Sequence, residues 1–296
     1  MEYESSVGGG IRLTVLDENH TYIEQFYLGE PAFSVLVEDG DEKILFDAGY
    51  SDVVIRNAET MGIDLNKLDQ IALSHGHHDH ACGLKYMLDD CEIAGLPLTA
   101  CEGAFDHREI PEKDLSAPFD RKKAAELFDL RLTDRPVRLS EHIIFLGPVP
   151  RNNDFENGEP LGTVTHEDGI SEPDRVLDDS SLVIETADGL FILTGCAHSG
   201  ICNTIEYAKQ VTGEDRIAGV LGGFHLFRTG HRIDETIRYF KENHVKELYP
   251  CHCANFKCRA AINEVHPVHE VGVGMKLELT AKGRSFGAYD KASLTD

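Results

Sequence analysis

The sequence predicts an α/β chain of the segregated α+β kind, with two sheets packed face to face and helices outside. Short apolar runs come in two separate sets along its 296 residues, and helix-period stripes fall between or after them. In each half one strand runs straight into a loop that carries histidine. Two halves of the same kind suggest two sheets that share a buried face.

In the first half Leu13–Leu16, Phe33–Val37, Ile44–Phe46 and Ile71–Leu73 read as strands, each a short alternating or continuous apolar run. Val54, Ala58 and Met61 stand at i, i+4 and i+7 and mark one face of a helix. The second half offers Ile143–Leu146, Leu182–Ile184, Phe191–Leu193 and Ile217–Leu221 as strands. Ile201, Ile205 and Ala208 mark a helix after the third of these, and Ile233, Ile237 and Phe240 another after the fourth. A last strand is expected at Met275–Leu279, behind Gly272 and Gly274. The stretch 103–136 is polar and helix-prone at Lys122–Phe128, whereas 148–179 is rich in Gly, Pro, Asn and Asp. Both read as insertions into one domain spanning residues 1–296. Either covers a site, or the second is a disordered surface loop.

With 28 basic against 52 acidic residues the net charge is −24, and the acids are spread along the chain. Such a surface is solvated and self-repelling, and it opposes binding to nucleic acid or anionic lipid. The expected partner is therefore a small molecule, with no nucleic acid and no membrane. An anionic substrate would need local cations or metal to hold it. No run approaches the ~20 apolar residues of a membrane span, and Met1–Ser6 lacks the basic start of a secretory signal. A cytoplasmic protein is the expectation. Eight cysteines in such a chain read as reduced thiols. Cys251, Cys253 and Cys258 lack the spacing of a standard zinc finger.

The most informative residues are Ser74-His75-Gly76-His77-His78-Asp79-His80, directly after the apolar run Ile71–Leu73. Imidazole nitrogen with carboxylate oxygen suits zinc, iron or manganese. His75 and His77 can reach one ion, and Asp79 with His80 a second beside it. A solvated histidine-rich loop is the plainer alternative; a metal site is the expectation. His198, past the strand Phe191–Leu193, and His252, after Leu248-Tyr249-Pro250, are expected as further ligands. His225 follows Gly222-Gly223, where backbone or substrate can approach closely, and stays open between ligand, substrate contact and structural residue. Cys196 reads as a small buried residue in preference to a thiolate ligand. Asp47 is expected to orient a ligand imidazole without binding metal. Asp178 and Asp179 either do likewise or form a solvated turn. The remaining histidines, His142 and His166 among them, read as surface or ordinary polar residues.

His75-Gly76-His77-His78-Asp79-His80 resembles the signature of the metallo-β-lactamase superfamily, whose fold is an αββα four-layer sandwich. The resemblance runs from about Arg12 to Leu279. Leu45-Phe46-Asp47-Ala48-Gly49, Thr194-Gly195-Cys196-Ala197-His198, Leu221-Gly222-Gly223-Phe224-His225 and Pro250-Cys251-His252-Cys253 extend it. These are similar to a subgroup of metal-dependent hydrolases that resemble 7,8-dihydropterin-6-methyl-4-(β-D-ribofuranosyl)aminobenzene-5′-phosphate synthase. The resemblance implies two divalent ions, most simply zinc, with manganese or iron as alternatives. His75 and His77 would hold the first, Asp79 and His80 the second, and His252 matches the last histidine of the family. Cys196 stands where the family places its bridging aspartate. Asp178-Asp179-Ser180 stands where it has a further histidine, a loss that His198 would compensate.

The implied chemistry is hydrolysis of a phosphoester or cyclic ester by metal-activated water, with Asp79 and His225 as catalytic candidates. The alternative is condensation of a dihydropterin-methyl diphosphate with a ribofuranosyl-aminobenzene phosphate. Phe224 and Phe227 would then stack on the pterin, and Arg151, Arg228 and Lys276 would contact phosphate. A non-catalytic metal-binding module is a third reading. A di-iron electron-transfer protein is disfavoured by His77 and by the lack of length for a flavin domain. Oligomeric state is not legible.

Overall fold

Alternation along the central strands decides the layering. In the computed structural model, which describes residues 10–283 and so leaves Met1–Ser6 outside the described residues, Phe46, Ala72, Leu193 and Leu221 point into one buried seam. Their neighbours Leu45, Leu73, Ile192 and Val220 point the other way, onto helices. Successive side chains on a strand leave opposite faces, so strands buried on both faces become continuous apolar runs. The result is four layers, helix, sheet, sheet, helix, as the sequence predicts.

Among the described residues the first sheet has seven strands. Their order is β17 (Lys276–Thr280), β1 (Gly10–Asp17), β2 (Ser34–Asp39), β3 (Glu42–Phe46), β4 (Gln70–Ala72), β5 (Pro97–Cys101) and β8 (Asp129–Thr133). The β17–β1–β2–β3 part is antiparallel, and β3, β4, β5 and β8 run parallel. Parallel neighbours need crossovers. These are α1 (Val53–Met61), the pair α2 (His78–Ala81) and α3 (Gly83–Asp90), and α4 (Arg121–Leu127). The second sheet runs β16 (Glu247–Cys251), β15 (Ile217–Gly223), β14 (Gly189–Thr194), β13 (Ser181–Thr186), β10 (Ile143–Phe145) and β9 (Val137–Arg138). Here β14, β15 and β16 are parallel, joined through α5 (Ile201–Thr212) and α6 (His231–Glu242). A last helix, α7 (Phe256–Asn263), follows β16.

Two expectations are corrected. The sequence reading misses β5 and β8, whose short stretches gain their strand character from pairing with β4 and with each other. Nor is 148–179 a disordered loop. With 103–136 it builds a third, antiparallel sheet: β12 (Ser171–Pro173), β11 (Thr163–Thr165), β6 (His107–Ile110) and β7 (Lys113–Asp114). The pairing of Val164 with Arg108 ties the two segments together, a long-range contact that local composition does not announce. No helix among the described residues is long and apolar enough to cross a membrane.

Phe46 is wholly buried between the sheets. Phe46→Ala is expected to cost about 3–5 kcal/mol, read as a shifted urea midpoint. A change below about 1 kcal/mol would show that the two sheets do not depend on this layer.

Candidate metal centre

Parallel strands end on one edge of their sheet, and there each sheet delivers its chemistry. From β4 the chain passes through Leu73 into the loop holding His75 and His77 and on to His80 in α2, all three buried. From the ends of β14, β15 and β16 come Cys196 with His198, His225, and His252 with Cys253. The two edges meet at the seam, so ligand-type side chains far apart in the chain converge.

The ring nitrogens face one another. His75 Nε2 lies 3.0 Å from His77 Nδ1 and 3.2 Å from His198 Nε2. His80 Nε2 lies 3.3 Å from Cys196 Sγ and 3.8 Å from Asp79 Oδ2. His252 Nε2 is 3.5 Å from the same Asp79 oxygen. Cys196 Sγ belongs to both groups, with His75 and His198 on one side and His80 and His252 on the other, all within 4.8 Å in each trio. It forms a third trio with His225 and Cys253. Four ligands on a tetrahedral ion with bonds of about 2.0–2.1 Å stand roughly 3.3–3.4 Å apart. The observed separations are close to that figure, so the donors fit a divalent ion.

Lone pairs are aimed inward by partners on the other side of each ring. Asp47, buried at the end of β3, accepts from Ser74 N–H at 2.7 Å and from Ser74 Oγ at 2.8 Å. With that hydroxyl proton committed, Ser74 Oγ can only accept from His75 Nδ1, 2.9 Å away, which leaves Nε2 as a free donor of electrons. Asp47 Oδ2 also sits 2.7 Å from His80 Nδ1 and turns its Nε2 towards the same space. His252 is held by Asn19, whose Oδ1 is 3.3 Å from Nδ1, and by Glu18, which accepts from its backbone N–H at 2.7 Å. Asp174 Oδ2 stands 3.8 Å from His77 Nε2, an otherwise unpartnered buried nitrogen.

The loop is also clamped from the second half. Gly76 N–H donates to Asp178 (2.8 Å), which accepts from Arg108 (2.7 Å), and Arg108 pairs with Asp174 (3.1 Å). Ser199 N–H donates to Asp179 at 2.8 Å, fixing the loop that carries His198. Space is short: a Cβ on Gly195 would lie 2.1 Å from Ser74 Oγ, and one on Gly223 would lie 2.5 Å from Cys253 Sγ. Asp47, Ala197, His225 and His252 all have left-handed backbone, with φ between 48° and 58°. Such conformations cost non-glycine residues energy and persist only where the surroundings enforce them.

Burial holds His75 and His198 well below the ordinary imidazole range, and the neighbouring imidazoles push the same way. Both are neutral near pH 7 and ready to ligate. His80 differs. Burial opposes its charge, yet Asp47 and Asp79 outweigh that and raise it to about 9. Burial likewise opposes the charge on Asp79, but His80 and His252 keep its carboxyl far below the usual range. Burial lifts the Cys196 thiol well above its ordinary value.

The sequence-expected residues His75, His77, Asp79, His80, His198 and His252 are thus brought together. His225 joins their rim, its ring 4.4 Å from that of His198, with Nδ1 buried and unpartnered. His78 turns away to lie edge-on to Tyr50. Cys196 is buried, as the sequence reading holds, but it stands at the centre of the donors. Asp178 and Asp179 are buried, not a solvated turn. Phe224 is no stacking surface for a ligand: it is wholly buried against Phe240. Lys276 lies on the edge strand β17 and lines neither cavity beside the histidines. Cys251 and Cys258 pack into different apolar clusters, so they share no site. Sequence reasoning misses Glu18, Asn19, Arg108, Asp174 and Cys253. Only the doublet of thiols around His252 gave any local signal for the last.

The family model of the metallo-beta-lactamase superfamily matches residues 28–209. The chain is 33% identical over 259 residues to an uncharacterized protein of Methanocaldococcus jannaschii, covering 86% of this chain and 94% of that one. It is 30% identical over 261 residues to the 7,8-dihydropterin-6-methyl-4-(beta-D-ribofuranosyl)-aminobenzene-5'-phosphate synthase of the same organism, covering 83% and 88%. Among solved structures it is similar to Tm1679, described as a metal-dependent hydrolase of the beta-lactamase superfamily. That match has a TM-score of 0.77 and 30% identity, and covers 91% of this chain and 99% of that one.

Two outcomes are expected for metal uptake. Because His80 carries a proton up to about pH 9, binding at pH 7.5 should release about one proton or more, and apparent affinity should rise with pH until His80 titrates. Calorimetry in buffers of different ionisation enthalpy measures this; zero release would contradict it. Asp47→Asn, which frees the tautomers of His75 and His80, should weaken metal binding about 10–100-fold in chelator competition.

Proposed function

The chain belongs to the metallo-beta-lactamase superfamily, and from that premise we propose a metal-dependent hydrolase acting on a phosphoester or cyclic ester. The observation that carries this reading is the convergence of imidazole, carboxylate and thiol donors from the ends of β4, β14 and β16. The donor set of nitrogen, oxygen and sulfur suits zinc or iron better than magnesium or calcium, and zinc is our choice. His75, His77 and His198 would hold one ion, and Asp79, His80 and His252 the other, with Cys196 between them. Ions held there would polarise a phosphoryl or carbonyl oxygen and bring the pKa of water towards neutrality. Asp79, kept charged by its imidazole neighbours, would accept a hydrogen bond from the attacking water and fix its direction. His225 lines the open cleft, which places its ring to hold a proton for the leaving oxygen. All eight cysteines are free, which fits a reducing compartment, and cytoplasm is the location we propose.

The similarity to the dihydropterin synthase over 83% of the chain favours a second reading, transfer of a dihydropterin-methyl group with release of diphosphate. Ions held by the same donors would supply the positive charge that the leaving diphosphate needs. Phe227, half exposed and edge-on to His225, offers an aromatic face for a flat ring.

Protein purified with zinc or manganese should contain bound metal and hydrolyse bis(p-nitrophenyl) phosphate, and His77→Ala should lower both metal content and kcat/KM, the latter about 100-fold. Metal-free protein that stays inert after addition of either ion would defeat the hydrolase reading. Formation of the condensed pterin product from its two precursors would decide for transfer.

A further inference from the structure

We propose that a chamber beside the metal centre, walled by Arg151, Arg175 and Arg232, is the subsite that binds the phosphate or diphosphate group of the substrate. The proposal rests on the hydrolase or transferase reading and adds to it the place and chemistry of substrate recognition. The chamber is narrow, with about 20 Å³ open to the centre of a water molecule, and His198 and His225 form one of its walls. Three guanidiniums around one small space run against the composition of a chain with net charge −24.

These cations are only partly compensated, by carboxylates that do not contact them. Among the described residues none of the three forms an ion pair. Arg232 has Nε and Nη2 buried without a hydrogen-bond partner. A guanidinium cannot shed its charge, so a buried one without an acceptor is unfavourable until an anion arrives. Arg151 is fixed by donating Nη2 to the backbone carbonyls of Arg175 and Val176. Burial holds Arg151 below its ordinary value; the buried Asp179 and Asp174 oppose that shift, while Arg175 and Arg232 add to it, which places the three cations within each other's field. Of the two acids on the wall, Asp174 is engaged by Arg108 at 3.1 Å and Glu159 is exposed at the rim.

Phosphate fits better than carboxylate. It carries up to two charges and three or four acceptor oxygens, which match several forked donors approaching from different sides. The chamber also opens into a wider cleft that shares Gly158, Glu159, Leu161, His225 and Arg232 with it and continues past Phe227 and Arg228. A substrate would place its anionic end between the arginines and lay the remainder along Phe227.

The test is calorimetric titration of the metal-loaded protein with inorganic phosphate, pyrophosphate and succinate. Arg232→Gln and Arg175→Gln are titrated in parallel, and bound metal is measured in each. Arg175 is exposed, so its variant should fold even if the Arg232 variant does not. The expected result is phosphate or pyrophosphate binding that weakens about tenfold or more in either variant with metal content unchanged. The tighter of the two probes tells a monophosphate from a diphosphate subsite. Binding that is absent, that is equal in both variants and wild type, or that prefers succinate overturns the proposal. Hydrolysis of phosphodiesters by a protein whose phosphate affinity ignores both substitutions would sink the subsite and leave the hydrolase reading standing. Arginine-dependent binding without hydrolysis would do the reverse.

Discussion

One buried carboxylate organises the centre. Asp47 leaves β3 in a left-handed turn, and its two oxygens receive the Ser74 amide, the Ser74 hydroxyl and the His80 ring. Through Ser74 it also sets the proton on His75. Two imidazoles therefore turn their Nε2 atoms to the same space: His75, relayed through Ser74, with Nε2 unprotonated, and His80, held directly, with a proton to give up when metal binds. Without that carboxylate the rings could rotate or change tautomer, and the donors would lose their convergence. Gly195 is part of the same arrangement, since any side chain there would displace Ser74.

Burying so many polar groups has to be offset locally. Burial of His75 and His198, and repulsion from the imidazoles around them, favour neutral rings. On the other side Asp47 and Asp79 favour a charged His80. The centre is thus divided into a neutral nitrogen-rich half and an ionic half, with the Cys196 sulfur between them. Asp174, Asp178 and Arg108 extend this pattern outward, each charge facing an opposite one across the joined segments 103–136 and 148–179. Those segments are where the second half of the chain grips the loop of the first.

Charge at long range and charge at short range act in opposite senses here. The acidic surface repels anions at distances up to the screening length of about 8–10 Å, so an anion gains only once it is inside the cleft. There Arg151 and Arg232, both partly buried, are less screened than the surface acids, and Arg175 at the mouth adds to their field. Discrimination against unsuitable anions is a natural consequence of this division.

His75, His77, Asp79 and His80 stand out in the sequence as candidate ligands because ligand spacing is a local property, readable at two- and three-residue intervals. The apolar alternation of Phe46 with Leu45, and of Leu193 with Ile192, likewise fixes two-faced strands and hence a layered fold. Cys196 and His225 resist such reading, since a thiol or imidazole at a strand end is as often inert as functional. Their meaning came from the parallel order β14–β15–β16, which sets three strand ends side by side. Arg108, Asp174 and Arg232 carry no local signal at all, being polar residues in polar stretches. The chain by itself determined which atoms can ligate and how many layers bury it. Tertiary structure decided which distant charges face them, because register and packing, not spacing along the chain, set those distances.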